Sequence, residues 1–233
     1  ALFTEMNSDL KRKGDFKPRK CHKAQITDRA VLTNRSYRDL CTLALTGYVQ
    51  MDTVHSSRES KKTLLTMFFT KEKLFLAFLM NRCTKGAVRL VFDRLEKRMG
   101  TYEFASVLEY ILTDRGAEFG DPDVLETGVN GIQRSSIYYC DPMQSGQKGG
   151  LEQAHTMLRM VLPKGTCFEF LTQWDVNLIV NHINSTPRES LGGRTPYSVA
   201  LETLGEEVLN AFQLRPIAPD EVNLTPKLIR FNH

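Results

Sequence analysis

The sequence predicts an α/β domain with a mixed five-stranded sheet flanked by helices. Between residues 48 and 80, three strand-length apolar segments follow one another with only short polar turns between them, which is typical of an antiparallel meander. Beyond residue 84, strand-length segments alternate with segments of helical periodicity, which favours strands joined through helices that cover the sheet. The 233 residues are enough for one such domain with appendages.

The first three strands follow a change in composition at Gly47. Their predicted spans are 48–54, 62–70 and 74–80. Apolar residues bounded by polar turns favour strands of this length. We therefore expect the methionines of these strands to be core residues: Met51, Met67 and Met80.

A helix and two more strands are predicted next. Thr84 is a suitable N-cap, and Gly100 ends the helix, whose apolar residues recur at the i, i+3, i+4, i+7 spacing of one face. The apolar run 105–113 predicts a buried fourth strand. Residues 121–128 predict a short helix, and residues 135–139 predict the fifth strand.

Three helices are predicted to complete the fold. The first spans residues 151–161, Thr172 opens the second with a near capping box, and Thr195 before Pro196 opens the third. The order β-β-β-α-β-α-β-α-α is the ribonuclease-H-like arrangement. It divides the chain into a basic N-terminal arm or linker (1–44), a core (45–204) and a C-terminal tail (205–233).

Charge is concentrated in the arm. Residues 1–40 carry ten Lys or Arg against five Asp or Glu, a local excess of +5, while the whole chain has a net charge of +4. A basic arm on a nearly neutral domain suits a polyanion such as DNA, and the alternative is a solvated linker.

Composition excludes several other classes. No apolar run approaches the roughly 18 residues that span a bilayer, so no membrane partner is expected. The five cysteines are scattered without metal-ligand spacing, which indicates a reducing cytoplasm. The chain begins with Ala rather than Met, and we expect an upstream part to be missing.

Three acidic residues stand at strand or helix positions that the predicted fold brings together. Asp52 lies in the first strand, Asp114 follows the fourth, and Glu152 opens the helix after Gly149 and Gly150. In a ribonuclease-H-like sheet the first and fourth strands are neighbours, and this helix packs across them. Converging carboxylates are the ligands that hard divalent cations require.

Several motifs carry a resemblance to a known family. Residues 113–119 (TDRGAEF) resemble the T-D-N/R-G-x-E-F signature of DDE transposases and integrases. Residues 138–142 (YYCDP) with 147–152 (QKGGLE), 162–166 (LPKGT) and 184–197 (NSTPRESLGGRTPY) are similar to motifs of the insertion-sequence-thirty type of bacterial transposase. The order of the motifs is kept from about residue 47 to 204. Gly146 replaces an aromatic residue of that pattern, and Leu151 replaces its Asn.

The resemblance implies an activity for the integrase-type core. Asp52, Asp114 and Glu152 would be the catalytic residues and would hold two Mg²⁺ or Mn²⁺ ions. The core would hydrolyse a phosphodiester at a transposon end, and the freed 3′-hydroxyl would attack target DNA. A homo-oligomer and a bacterial, nucleoid-associated cytoplasmic location are also implied, with the end-recognition domain upstream.

Other residues are candidates for contacts with DNA. His155 and Arg159 share a helix face with Glu152, and Lys148 precedes the two glycines, so each is predicted to bind a phosphate. The alternatives are a surface arginine and a solvated loop lysine. Glu118 is a candidate for supporting the metal site or for capping the following turn. His55 and Glu59, in the loop after Asp52, are further candidates. Trp174 is interpreted as a core residue or as a packing residue at a helix start.

Two further functions remain open from the sequence. The first is a metal-dependent nuclease of the same fold that cuts DNA without joining it. The second is a degenerate ribonuclease-H-like domain that binds DNA or assembles with partners but has no catalysis. The presence of all three acids argues against the second.

Overall fold

A five-stranded mixed sheet forms the centre of the computed structural model, which describes residues 29–142 and 144–229. The strands are β1 (Val49–His55), β2 (Thr63–Phe69), β3 (Leu74–Met80), β4 (Tyr110–Thr113) and β5 (Ser136–Tyr139). The strand order is β3-β2-β1-β4-β5, with β1–β2 and β2–β3 antiparallel and β1–β4 and β4–β5 parallel. This order confirms the predicted ribonuclease-H-like fold.

Helices surround this sheet, and three of them begin at the caps that the sequence predicts. Thr84, Thr172 and Thr195 each accept a hydrogen bond from the backbone three residues later, and Thr172 forms a full capping box with Asp175. The helices are α1 (Arg29–Leu32), α2 (Tyr37–Thr42), α3 (Lys85–Met99), α4 (Thr101–Val107), α5 (Pro122–Glu126), α6 (Gly149–Val161), α7 (Gln173–Asn184), α8 (Pro196–Leu204) and α9 (Glu206–Ala211).

The predicted fourth strand, residues 105–113, is longer than the strand in the structure, β4 (Tyr110–Thr113). Gly100 has φ +85°, and this conformation ends α3 and starts α4, so the residues up to Val107 are helical and β4 begins only at Tyr110. Phe104 is fully buried in α4, with its ring centroid 5.8 Å from that of Phe92 in α3. Short apolar runs fit a buried strand and a buried helix equally well, and here packing against α3 decides for the helix.

The core lies on both faces of the sheet. All residues of β2 and nearly all of β3 are buried, which requires cover on each side. Helix α6 contacts β1 and β2, α7 contacts β3, and α3 also contacts β3. Met51, Met67 and Met80 are buried, as predicted.

The segments on either side of residues 45–204 also pack on the core. Leu40 is buried with Leu112 and Cys140, and the Tyr139 amide donates to the Arg35 carbonyl at 2.7 Å. Leu214 and Ile229 join the main core cluster. Most of the predicted basic arm lies outside the described residues, and the three predicted boundaries stay predictions.

Two observations concern the wider setting of the chain. In the described ranges no helix is long and apolar enough to cross a membrane. The four cysteines within those ranges are free thiols, and Cys21 lies outside them.

Candidate active site

Two of the three predicted acids come together, Asp52 within β1 and Asp114 directly after the neighbouring parallel strand β4. The register pairs Val49 with Ile111 and Gln50 with Leu112. Asp52 and Asp114 each lie two residues beyond Gln50 and Leu112, so they stand side by side and point to the same face. Their side chains are 25% and 46% exposed, which leaves both carboxylates open to a substrate.

Lys148 joins these two carboxylates. Its Nζ lies 2.8 Å from Asp52 Oδ2 and 3.6 Å from Asp114 Oδ2, and its side chain is only 8% exposed. Burial works to lower the pKa of Lys148, but the attraction of both carboxylates outweighs it and raises the pKa above the ordinary lysine value. The ammonium is therefore charged at neutral pH.

The surroundings of Asp114 differ from those of an ordinary surface carboxylate. Burial, together with the negative charge of Asp52, raises the pKa of Asp114, although Lys148 acts in the opposite direction. Two like charges at one place disfavour ionisation of both unless a cation lies between them. The pair is thus arranged to hold a cation.

Backbone amides orient both carboxylates. The Thr53 amide donates to Asp52 Oδ1 at 2.7 Å, and the Gly116 amide donates to Asp114 Oδ1 at 2.9 Å. The Thr53 hydroxyl donates to Glu118 Oε1 at 2.8 Å, which places Glu118 beside the pair. The residues of the TDRGAEF segment therefore orient the site as well as contributing Asp114.

The loop before α6 is attached to β1 and to itself through two glutamines. Asp141 donates its amide to Gln147 Oε1, and Gln147 Nε2 donates to Asp141 Oδ2, both at 2.8 Å. Gln50 donates through Nε2 to the Gln147 carbonyl at 3.3 Å and accepts at Oε1 from the Leu151 amide at 2.9 Å. These bonds fix where α6 begins relative to Asp52.

Sequence reasoning missed Gln50 and the role of Gln147. A signal for Gln50 was present, because it is a polar residue between the apolar Val49 and Met51. In the structure its side chain is 4% exposed. A buried side-chain amide must find partners, and Gln50 finds them at the start of α6.

Gly150 allows α6 to approach the sheet closely. A Cβ atom at this position would lie 2.4 Å from Cε1 of the Phe68 ring in β2. Gly149 is different, because a Cβ atom there would meet nothing within 4 Å. The second glycine of the QKGG segment is therefore required by packing.

Glu152 is not brought to the other two acids. It lies in the first turn of α6 with an exposed side chain and makes no ion pair within the described chain. In residues 29–142 and 144–229, no three His, Cys, Asp or Glu side chains are close enough together to hold a metal ion. Its role as a metal ligand stays a prediction.

The His155 side chain lies between α6 and the sheet. Its Nε2 is 2.8 Å from Thr66 Oγ1, and the same hydroxyl donates to the Asp52 carbonyl at 3.1 Å. Burial lowers the pKa of His155, and its ring meets Phe75 edge-on at a centroid distance of 6.3 Å. His155 thus faces the interior of the protein.

Arg159 is half-buried at the end of α6. Its Nη1 donates to the Leu162 carbonyl at 3.4 Å, and burial lowers its pKa. The predicted DNA contacts of Arg159, Lys148 and His155 stay predictions; in this structure Lys148 is buried and His155 is half-buried.

Trp174 is 70% exposed at the start of α7, so the core alternative of its interpretation was wrong, while packing at the helix start stays a prediction. Phe170, four residues earlier in the chain, is also exposed. His55 and Glu59 are exposed beyond Asp52.

The chain was compared with known proteins, and no family model matches it. It is 32% identical over 88 residues to the transposase InsI of insertion sequence element IS30A of Escherichia coli, covering 37% of this chain and 21% of that protein. It is 34% identical over 68 residues to the transposase of element IS1086 of Cupriavidus metallidurans, covering 29% and 20%. The predicted resemblance to transposases of this type is confirmed. The match spans about a fifth of the length of these relatives.

Two further similarities extend over more of the chain. A putative integrase of Spiroplasma virus SpV1-R8A2 B is 27% identical over 145 residues, covering 62% of this chain and 42% of that one. The catalytic core domain of BIV integrase superposes with a TM-score of 0.48 at 24% identity, covering 68% of this chain and 96% of that one.

Proposed function

We propose that this chain contains the catalytic core of a DNA transposase or integrase that cleaves a phosphodiester and joins a 3′-hydroxyl to target DNA with divalent metal ions. One observation carries the proposal: Asp52 and Asp114 direct oxygen atoms at a single cation, the Lys148 ammonium. Relatives named as transposases and an integrase support the same chemistry.

The donor atoms suit Mg²⁺ or Mn²⁺. Carboxylate oxygens on rigid strands are the ligands that such hard cations prefer. Two carboxylates within 2.8 and 3.6 Å of one ammonium nitrogen already surround a place of cation size. Asp52 and Asp114 would hold the first of two ions, and Glu152, on the first turn of α6, would complete the site.

The groups of the site have different proposed roles. When bound, the divalent ions would activate the attacking oxygen and neutralise charge on the reacting phosphodiester. The amides of Thr53 and Gly116 keep the carboxylates oriented. Arg159, two turns after Glu152 on the same helix, would hold a phosphate of the DNA.

DNA is the partner that this chemistry requires, as transposon end and as target. We also propose a homo-oligomer, because two DNA ends must be joined in one event, and a location at the nucleoid of a bacterial cytoplasm.

A plasmid assay tests the proposal. Incubation of the full chain with supercoiled plasmid, a labelled duplex and Mn²⁺ should give metal-dependent nicking and transfer of the label into the plasmid. Asp52→Asn should abolish both products. Asp123→Asn, which changes an acid with an 88% exposed side chain outside the site, should leave both unchanged.

The alternatives give different products. Nicking without transfer of the label would indicate a nuclease of the same fold. Neither product, with DNA binding retained, would indicate a binding or assembly domain without catalysis.

A further inference from the structure

A basic groove lies beside the candidate site, beyond the carboxyl end of β1. It has a volume of about 520 Å³, and four of its lining residues are cationic: Arg58, Lys61, Lys62 and Arg82. The described residues that line it include no Asp or Glu. His55 and Thr84 also line it, and Thr84 caps α3, whose amino end adds a positive partial charge.

Three of these cations have no partner among the residues that the structure describes. Arg58, Lys61 and Arg82 are exposed and make no hydrogen bond or ion pair with any residue in the described part of the chain. Lys62 differs, because its Nζ donates to the carbonyls of Glu169 and Leu171 at 2.7 and 3.1 Å. Lys62 therefore connects the groove to residues 169–171. The side chains of Arg58, Lys61 and Arg82 are available to bind an anion.

The groove lies close to the site at which the proposed reaction takes place. His55 ends β1 three residues after Asp52, which corresponds to about 10 Å along the strand. Arginine side chains bind phosphate oxygens through paired N–H donors. DNA that reacts at Asp52 would present its neighbouring phosphates within reach of such a groove.

We propose that this basic groove binds the DNA backbone next to the reacting phosphodiester. This inference rests on the proposed function, since it names a surface by which the same site holds its DNA.

Fluorescence anisotropy with a short labelled duplex in EDTA tests the groove without metal. The double variant Arg58→Glu/Arg82→Glu should bind at least about tenfold more weakly and with a shallower salt dependence, because phosphate contacts are lost. The control Arg94→Glu/Lys97→Glu makes the same change of charge on the exposed face of α3 and should bind nearly as the wild type.

Equal weakening in both double variants, or no weakening in either, would overturn the assignment of the groove. A wild-type chain that binds no duplex would also overturn it. Retained Mn²⁺ binding in that chain would show that the metal site itself had not failed.

A separate observation concerns Lys148, whose ammonium occupies the place between two predicted metal ligands. The space beside Lys148 is open, because Cβ atoms at Gly146 and Gly149 would meet nothing within 4 Å. Like charges repel strongly in a partly buried site, so the ammonium and a divalent cation are incompatible neighbours there.

We infer that Lys148 is an internal counter-cation that holds Asp52 and Asp114 in the metal-free protein and leaves them when a divalent cation binds. This also rests on the proposed metal site.

Calorimetric titration of Mn²⁺ into wild type and Lys148→Met tests the inference. The variant should bind Mn²⁺ at least about tenfold more tightly, because no ammonium competes. Its Tm without metal should fall, whereas Mn²⁺ should raise its Tm by more than it raises that of the wild type. Lys148→Gln serves if the methionine variant does not fold.

Equal or weaker binding by the variant would overturn the displacement of Lys148 and leave the metal site in place. No binding by either protein would refute the metal site and the displacement together.

Discussion

At the scale of single residues, Gly150 has the clearest requirement. Gly150→Ala should lower the free energy of unfolding by about 1–3 kcal/mol, because the added methyl group overlaps the Phe68 ring at 2.4 Å. Chemical denaturation measures this change.

The matched control is Gly149→Ala. Gly149 has φ −56° and ψ −34°, and an added Cβ meets nothing within 4 Å, so its substitution should be neutral or slightly stabilising. Equal loss of stability in both variants would contradict this account, because the approach to Phe68 is present at Gly150 and absent at Gly149.

The positions of Asp52 and Asp114 were predictable from the sequence, and that of Lys148 was not. Both acids follow from strand order, because the first and fourth strands of this arrangement are neighbours. Lys148 stands in a loop, and a loop lysine usually points to solvent. Its burial depends on contacts between Gln50, Gln147 and the start of α6, which no local pattern encodes.

At the scale of elements, a buried ion pair connects α3 with the segment before β5. Arg134 is fully buried, and its Nη1 lies 2.7 Å from both Asp93 Oδ1 and Glu96 Oε2. Its guanidinium also lies over the rings of Phe92 and Phe104, at 5.4 and 5.5 Å from their centroids. One side chain thus links α3, α4 and the approach to β5.

Arg134→Met should destabilise the fold by about 3–5 kcal/mol, because the Glu96 carboxylate remains buried without its partner. Arg89→Met removes the exposed partner of Asp93 on the same helix and should cost less than about 1 kcal/mol. Thermal or denaturant unfolding compares the two, and similar losses would contradict the importance of burial.

The sequence predicted elements well where a cap and a period coincide and poorly where they do not. Thr84 and Thr172 mark α3 and α7 because their side chains bond to the backbone locally. Residues 101–107 have no side-chain cap, and packing of Phe104 against α3 decided their conformation. Tertiary contact of that kind lies outside any short window of sequence.

At the scale of the whole molecule, the C-terminal tail belongs to the core. Phe212, which follows α9, is buried and packs edge-on against Phe69 of β2 with a ring-centroid distance of 5.8 Å. The sequence predicted no role for this segment, because its short apolar groups are separated by prolines and show no sustained period.

Phe212→Ala should therefore cost about 3–5 kcal/mol, as expected for removal of a buried aromatic ring. Phe170→Ala, at a 66% exposed position, should change the free energy of unfolding by less than about 0.5 kcal/mol. Unfolding curves of the two variants measure both changes. A small loss of stability for Phe212→Ala would mean that the tail is a dispensable appendage.

The most direct test of the central claim is calorimetric titration of Mn²⁺ into the wild-type chain, Asp114→Asn and Asp123→Asn. If Asp52 and Asp114 form a cation site, the wild type and Asp123→Asn should bind Mn²⁺ saturably, while Asp114→Asn should lose most of that affinity. Equal binding by all three proteins, or no binding by any, would contradict a metal site at Asp52 and Asp114.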